Sequence, residues 1–195
     1  MNMPAIIKEN STGFLKTTLQ DELFLTREMQ CFEEITAESV NALILQLQYL
    51  SRQNSKKEIT LYINSPGGSV SSGLALYDMM KAIPNPIRTV CVGTAASMAA
   101  VIFLSGDRRE MLKHSQVMLH DPLISEGVGG SALKINSISH NLMKTREIIA
   151  EIIAEHTGKT LDEIYKVTAN DTFFNAKDAI AFGLADNMIK EMGGY

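Results

Sequence analysis

Ile59-Thr-Leu-Tyr-Ile-Asn64-Ser-Pro-Gly-Gly68-Ser69 is the stretch that decides the fold. Ile59 to Asn64 reads as a buried strand, and Pro66-Gly67-Gly68 breaks it. Ser69 to Ala82 reads as a helix, which Pro84 and Pro86 stop. Ile87 to Val92 is another strand, followed by Gly93 and a small-residue helix from about Ala96 to Leu104. Met111 to His120 supplies further strand, ending at Pro122. Strand and helix alternating at this spacing require crossover connections, so an α/β layered core is expected.

Outward from this centre the signals weaken. Residues 1–20 mix Pro, Gly, Asn, Ser and Thr with a few apolar positions and read as an arm or loop. Ala37 to Gln53 is helical in pattern, with Thr36 or Ser39 as cap. Glu126 to Gly130 is too glycine-rich for a packed interior strand. A long helix follows from Ser131 to His156, closed by Gly158, and Ile135, Ile138, Leu142, Ile149 and Ile152 form one stripe. At about 1.5 Å per residue it approaches about 40 Å, more than a small domain needs for its own core. It is expected to project and bury its stripe on another subunit; the alternative is a helix lying across its own sheet. A short helix over Leu161 to Val167, a helix over Ala176 to Phe182 and a strand over Leu184 to Ile189 complete the chain.

The 195 residues show no repeat, low-complexity tract or linker, which fits one domain across 1–195. Net charge is −4 without a basic block, which disfavours nucleic acid and anionic membrane as partners. Lys8 and Glu9 interrupt the N-terminal stretch, and no apolar run approaches the ~18 residues of a membrane span. A cytoplasmic protein is expected. Cys31 and Cys91 form no metal pattern and read as buried thiols in a reducing compartment, and no metal site is expected.

Three stretches carry hydrolytic potential. In Gly93-Thr-Ala-Ala-Ser97-Met-Ala-Ala100 the serine stands at a strand-to-helix junction, where free N–H groups gather and small neighbours admit a carbonyl. Read alone, it is more readily a small-residue helix packed on a sheet, with Ser97 merely tolerated. The two glycines after Pro66 let backbone N–H groups approach a ligand, though a plain turn explains them too. In Val117-Met-Leu-His120-Asp-Pro122 the histidine ends an apolar strand and suits proton transfer near neutral pH. His114, His140 and His156 lie in polar or helical settings better suited to solvated roles. Asp171, on a loop before Phe173-Phe174, can hold the imidazole's other nitrogen. Asp121 is too close in sequence to turn back on its neighbour. HExxH, GxxxxGK[ST] and GxGxxG are absent.

Together Tyr62-Ile-Asn-Ser-Pro-Gly-Gly68, Gly93-Thr-Ala-Ala-Ser97-Met-Ala, Val117-Met-Leu-His120-Asp-Pro122 and Asp171-Thr-Phe-Phe-Asn-Ala176 resemble the four signature blocks of the ClpP peptidases, in order and in register. The likeness runs from about Pro4 to Ile189. It implies a crotonase-like α/β layered fold with a protruding handle helix, an axial arm over 1–20 and a handle region over 123–156. It implies a serine endopeptidase whose catalytic residues fall on Ser97, His120 and Asp171, with oxyanion donors at the Gly68 and Met98 N–H groups. Substrate polypeptide would pair along the 126–130 edge strand, through Gly127, Val128 and Gly129. The family forms homo- or hetero-oligomers of two stacked heptameric rings. It receives unfolded protein from a hexameric AAA+ unfoldase of the ClpX, ClpC or ClpA type. That partner uses the ATP, so the chain itself needs no cofactor. Exposed apolar pockets near Tyr49, Leu50 and Tyr62 are candidates for unfoldase docking, with core packing the readier reading of each residue taken singly.

The chain departs from the family in three places. Asp121 stands where His-Gln-Pro is common, Ala169 and Asn170 replace an Asp-Arg pair at the ring interface, and Phe14-Leu-Lys16 alters the arm. These point to a divergent paralogue, with a catalytically weak ring partner of a second subunit as the alternative. Acyl-CoA chemistry on a crotonase fold is a further reading, which the Ser/His/Asp set disfavours.

Overall fold

The computed structural model describes residues 4–11, 13–124, 127 and 129–190. Its sheet follows the expected alternation. Strands β3 (Glu28–Cys31), β4 (Ile59–Ser65), β5 (Ile87–Ala96), β6 (Arg108–Leu112) and β9 (Asn187–Ile189) lie side by side, each pair parallel. Helices α2 (Ala37–Gln53), α3 (Val70–Ala82) and α4 (Met98–Leu104) connect and cover them. Of the two residues expected as cap of α2, Thr36 is the N-cap and Ser39 completes a capping box: Ser39 N–H donates to Thr36 Oγ1 at 3.1 Å, and Thr36 N–H to Ser39 Oγ at 3.0 Å. All seven residues of α4 are buried, which places this small-residue helix at the centre of the core.

β5 is longer than expected, and the sheet divides along it. Its first half, Arg88 to Cys91, pairs with β6; its second half, Thr94 to Ala96, pairs with β7 (Gln116–Leu119). The single strand read over Met111 to His120 is therefore two, with a turn between them. At the division β4 bulges between Ile63 and Ser65, and Asn64 Oδ1 accepts from Thr94 N–H at 3.0 Å. A Cβ on Gly93 would lie 2.3 Å from that oxygen, so only glycine admits this close approach. β8 (Thr172–Asn175) closes the outer edge antiparallel to β7.

The N-terminal region differs from expectation. β1 (Ile6–Asn10) and β2 (Gly13–Thr17) form an antiparallel hairpin, and α1 (Leu19–Leu25) follows under a Thr18 capping box. None of the described side chains in β2 or α1 is buried, so the segment carries no one-sided apolar pattern from which to read it.

The long helix α5 (Ala132–Thr157) starts at the Ser131 cap and ends at Gly158. Its inner end buries Ile149, Ala150 and Ile153, in contact with α4 and with α6 (Leu161–Thr168). Its outer end is uncovered: Leu133 is 83% exposed, and Ile135 and Met143 are also exposed. The helix thus projects, with only its last turns on its own core. α7 (Ala176–Phe182) packs beside β7, β8 and β9. No helix among the described residues is long and apolar enough to cross a membrane.

Candidate active site

The divided sheet brings two of the three expected side chains into contact. Ser97 follows β5 and caps α4 with φ 55°, a left-handed conformation costing roughly 1–3 kcal/mol for a non-glycine residue. The strain is held from both sides. Ser97 N–H donates to Met118 O at 2.9 Å, and Ser97 O accepts from Ala100 N–H at 3.0 Å. Met118 lies two residues before His120, so the β5–β7 pairing that pins Ser97 also sets the imidazole. His120 Nε2 and Ser97 Oγ are 2.7 Å apart. With the ring proton on Nδ1, the hydroxyl donates to Nε2, the arrangement in which an imidazole removes an alcohol proton.

Asp171 is nearby but looser. Its Oδ1 is 3.6 Å from His120 Nδ1, beyond hydrogen-bond length, and its side chain is 64% exposed against 15% for His120. It lies on the loop between α6 and β8.

Gly67 abuts the nucleophile, and Gly68 follows it against Ile35. A Cβ on Gly67 (φ +93°) would fall 2.6 Å from Ala96 O and 2.8 Å from Ser97 Cβ, and one on Gly68 (φ +146°) 2.3 Å from Ile35 O. The loop is sewn to the segment before α2 by Ile35 N–H to Gly67 O and Ser69 N–H to Ile35 O. Among the described residues the Gly68 N–H has no acceptor, and the Met98 N–H, first of α4, has no intrahelical one. These two donors can meet a developing oxyanion.

Val70, Met98, Val101, Leu119, Pro122, Ile149 and Ile153 line an apolar pocket beside Ser97 and His120. Gly127 and Gly129 lie in no strand, while Glu126 and Val128 fall outside the described residues. Tyr49 is exposed and shares a pocket with Leu50, Phe24 and Leu25. Leu50 and Tyr62 are core residues, in keeping with the packing reading of each. No group of three potential metal ligands occurs among the described residues.

Sequence reading missed the partners of Asp121. Its Oδ2 accepts from Arg146 Nε at 2.6 Å and its Oδ1 from Thr168 Oγ1 at 2.5 Å. No periodicity or motif links residues so far apart in the chain.

A family model described as Clp protease matches residues 11–192. The chain is also similar to a protein named ATP-dependent Clp protease proteolytic subunit from Ligilactobacillus salivarius (strain UCC118). The two are 37% identical over 193 residues, 97% of each chain.

Proposed function

Because the chain belongs to the Clp protease family, we propose that it is a serine endopeptidase, the proteolytic subunit of an ATP-dependent Clp protease. Ser97 is the nucleophile, His120 the general base and Asp171 the group that orients the imidazole. The 2.7 Å contact between His120 Nε2 and Ser97 Oγ carries this reading. Ser97 Oγ attacks the scissile carbonyl as His120 takes its proton, and the Gly68 and Met98 N–H groups receive the oxyanion. His120 then protonates the leaving amine. Water, deprotonated by the same imidazole, hydrolyses the acyl-enzyme and frees Ser97.

The extended polypeptide pairs with residues 127–129 by adding a strand. The peptidase domain spans 1–195, with 1–20 as axial arm and 123–156 as handle region. The exposed outer half of α5 supports an oligomer of two stacked heptameric rings in which handles cover one another. A hexameric AAA+ unfoldase delivers the substrate and uses the ATP.

Labelling with a fluorophosphonate tests the chemistry: modification at Ser97, abolished in Ser97→Ala together with peptide cleavage, is expected. An unlabelled Ser97 in the assembled protein would sink it. The 3.6 Å gap at Asp171 favours one second reading, a weak ring partner that assists a different subunit. Ser97→Ala would then leave a mixed complex as active as before.

A further inference from the structure

Asp121 follows His120 directly and is fastened three ways. Its N–H donates to Thr168 O at 2.7 Å, its Oδ1 accepts from Thr168 Oγ1, and its Oδ2 accepts from Arg146 Nε. Each of these partners is itself held. The Arg146 guanidinium lies over the Tyr165 ring, 4.0 Å from its centroid, so its plane is fixed by stacking as well as by charge. Thr168 is a buried residue at the end of α6. Three residues later comes Asp171, and Thr172 Oγ1 donates back to Val167 O at 2.8 Å and Asn170 O at 3.2 Å. The chain from Thr168 to Thr172 is therefore one tied loop.

One carboxylate thus joins the residue beside the base, the middle of the projecting helix and the loop that carries Asp171. The separation of His120 Nδ1 from Asp171 Oδ1 depends on where these three elements stand. At 3.6 Å it is within about 0.7 Å of a hydrogen bond.

We propose that Asp121 is a positioning residue that, through Arg146 and Thr168, ties α5 to the distance between His120 and Asp171. The inference rests on the peptidase reading above. Asp121 does not touch the reacting atoms; it acts on the pair that does. The arrangement also gives a physical role to the residue by which this chain departs from His-Gln-Pro, since a neutral amide there would leave the Arg146 charge unpaired.

The test compares wild type, Asp121→Asn, Arg146→Met and the double variant, each in its native assembly and matched for assembled mass. Cleavage of a model peptide and the rate of fluorophosphonate attack on Ser97 are the readouts. Each single variant is expected to lose about tenfold in kcat with KM held within about twofold, because displacement of a catalytic pair lowers turnover more than binding. Labelling should slow in the same ratio, and the double variant should be no worse than either single one, as for two ends of one interaction. Single variants within about twofold of wild type in kcat would overturn the inference. So would losses that multiply in the double variant, or a drop in kcat that follows a loss of assembled mass. Wild-type protein unreactive at Ser97 would defeat the peptidase reading and this inference with it. Reactive wild type with an equally reactive Asp121→Asn defeats the inference alone.

Discussion

Ser97 and His120 stand at the ends of adjacent strands, fixed by the β5–β7 pairing and by a core that covers both, whereas Asp171 stands on a largely exposed loop, held through Thr168 and Thr172. The inner and outer ends of α5 divide in the same way, one buried on α4 and α6, the other bare. The parts built on the parallel sheet reach working distance within a single chain. The parts built on the surface stop short of it or lack a partner. Assembly is therefore expected to act on the second set and leave the first unchanged.

The contrast can be broken at its strong side first. His120→Ala should lower kcat/KM on the order of 10⁴-fold or more in any assembled form, since the base contact is already complete in one chain; a residual rate within tenfold of wild type, a ratio measured by model-peptide cleavage, would show that another group takes the proton. Next comes the helix. Ile153 is 1% exposed, so Ile153→Ala should cost about 2–5 kcal/mol in denaturant unfolding. Leu133→Ala should stay within about 0.5 kcal/mol for the isolated chain while weakening the oligomer, read as native mass. Equal costs at the two positions would erase the distinction between the ends of α5.

Asp171→Asn sharpens the comparison. With its carboxylate exposed and not hydrogen-bonded to the ring, the loss in kcat should be about 10–100-fold, below the ~10⁴-fold known where the carboxylate is buried on the imidazole. A loss as large as that higher figure would mean that assembly closes the gap.

The smallest effect concerns the anchored end of α5, where His156 Nε2 meets the Tyr77 hydroxyl at 2.9 Å. Burial, then Lys81 and Arg109, hold the His156 imidazole below its ordinary value of 6.5. The unfolded chain thus takes up the proton first as pH falls. The stabilising contribution is complete above pH 6.5 and is lost as pH drops through the folded-state value. Melting temperature should decline on that acid side, and His156→Gln should flatten the decline; an unchanged slope would remove His156 from the account.

Much of this was legible in the residues. Ile59 to Asn64 and Ile87 to Val92 declare buried strands because a parallel strand covered on both faces is apolar almost throughout. Thr36, Ser69 and Ser131 declare helix starts because a hydroxyl there satisfies an otherwise orphaned N–H. The hairpin before Thr18 was not legible, since a strand without a buried face leaves no alternation. Nor was the division of the sheet at Gly93, which depends on the Asn64 amide reaching the next strand.

By itself, then, the sequence determined the alternation of helix and strand from Ala37 to Leu104, the residue types of the proposed triad and the length of the projecting helix, all of which are local patterns of period, cap and motif. Only the tertiary structure decided that Ser97 and His120 touch while Asp171 stands off. It alone joined Asp121, Arg146 and Thr168, residues 25 and 47 positions apart. Such distances follow from how packed elements stand relative to one another, and side-chain chemistry along a chain carries no record of that.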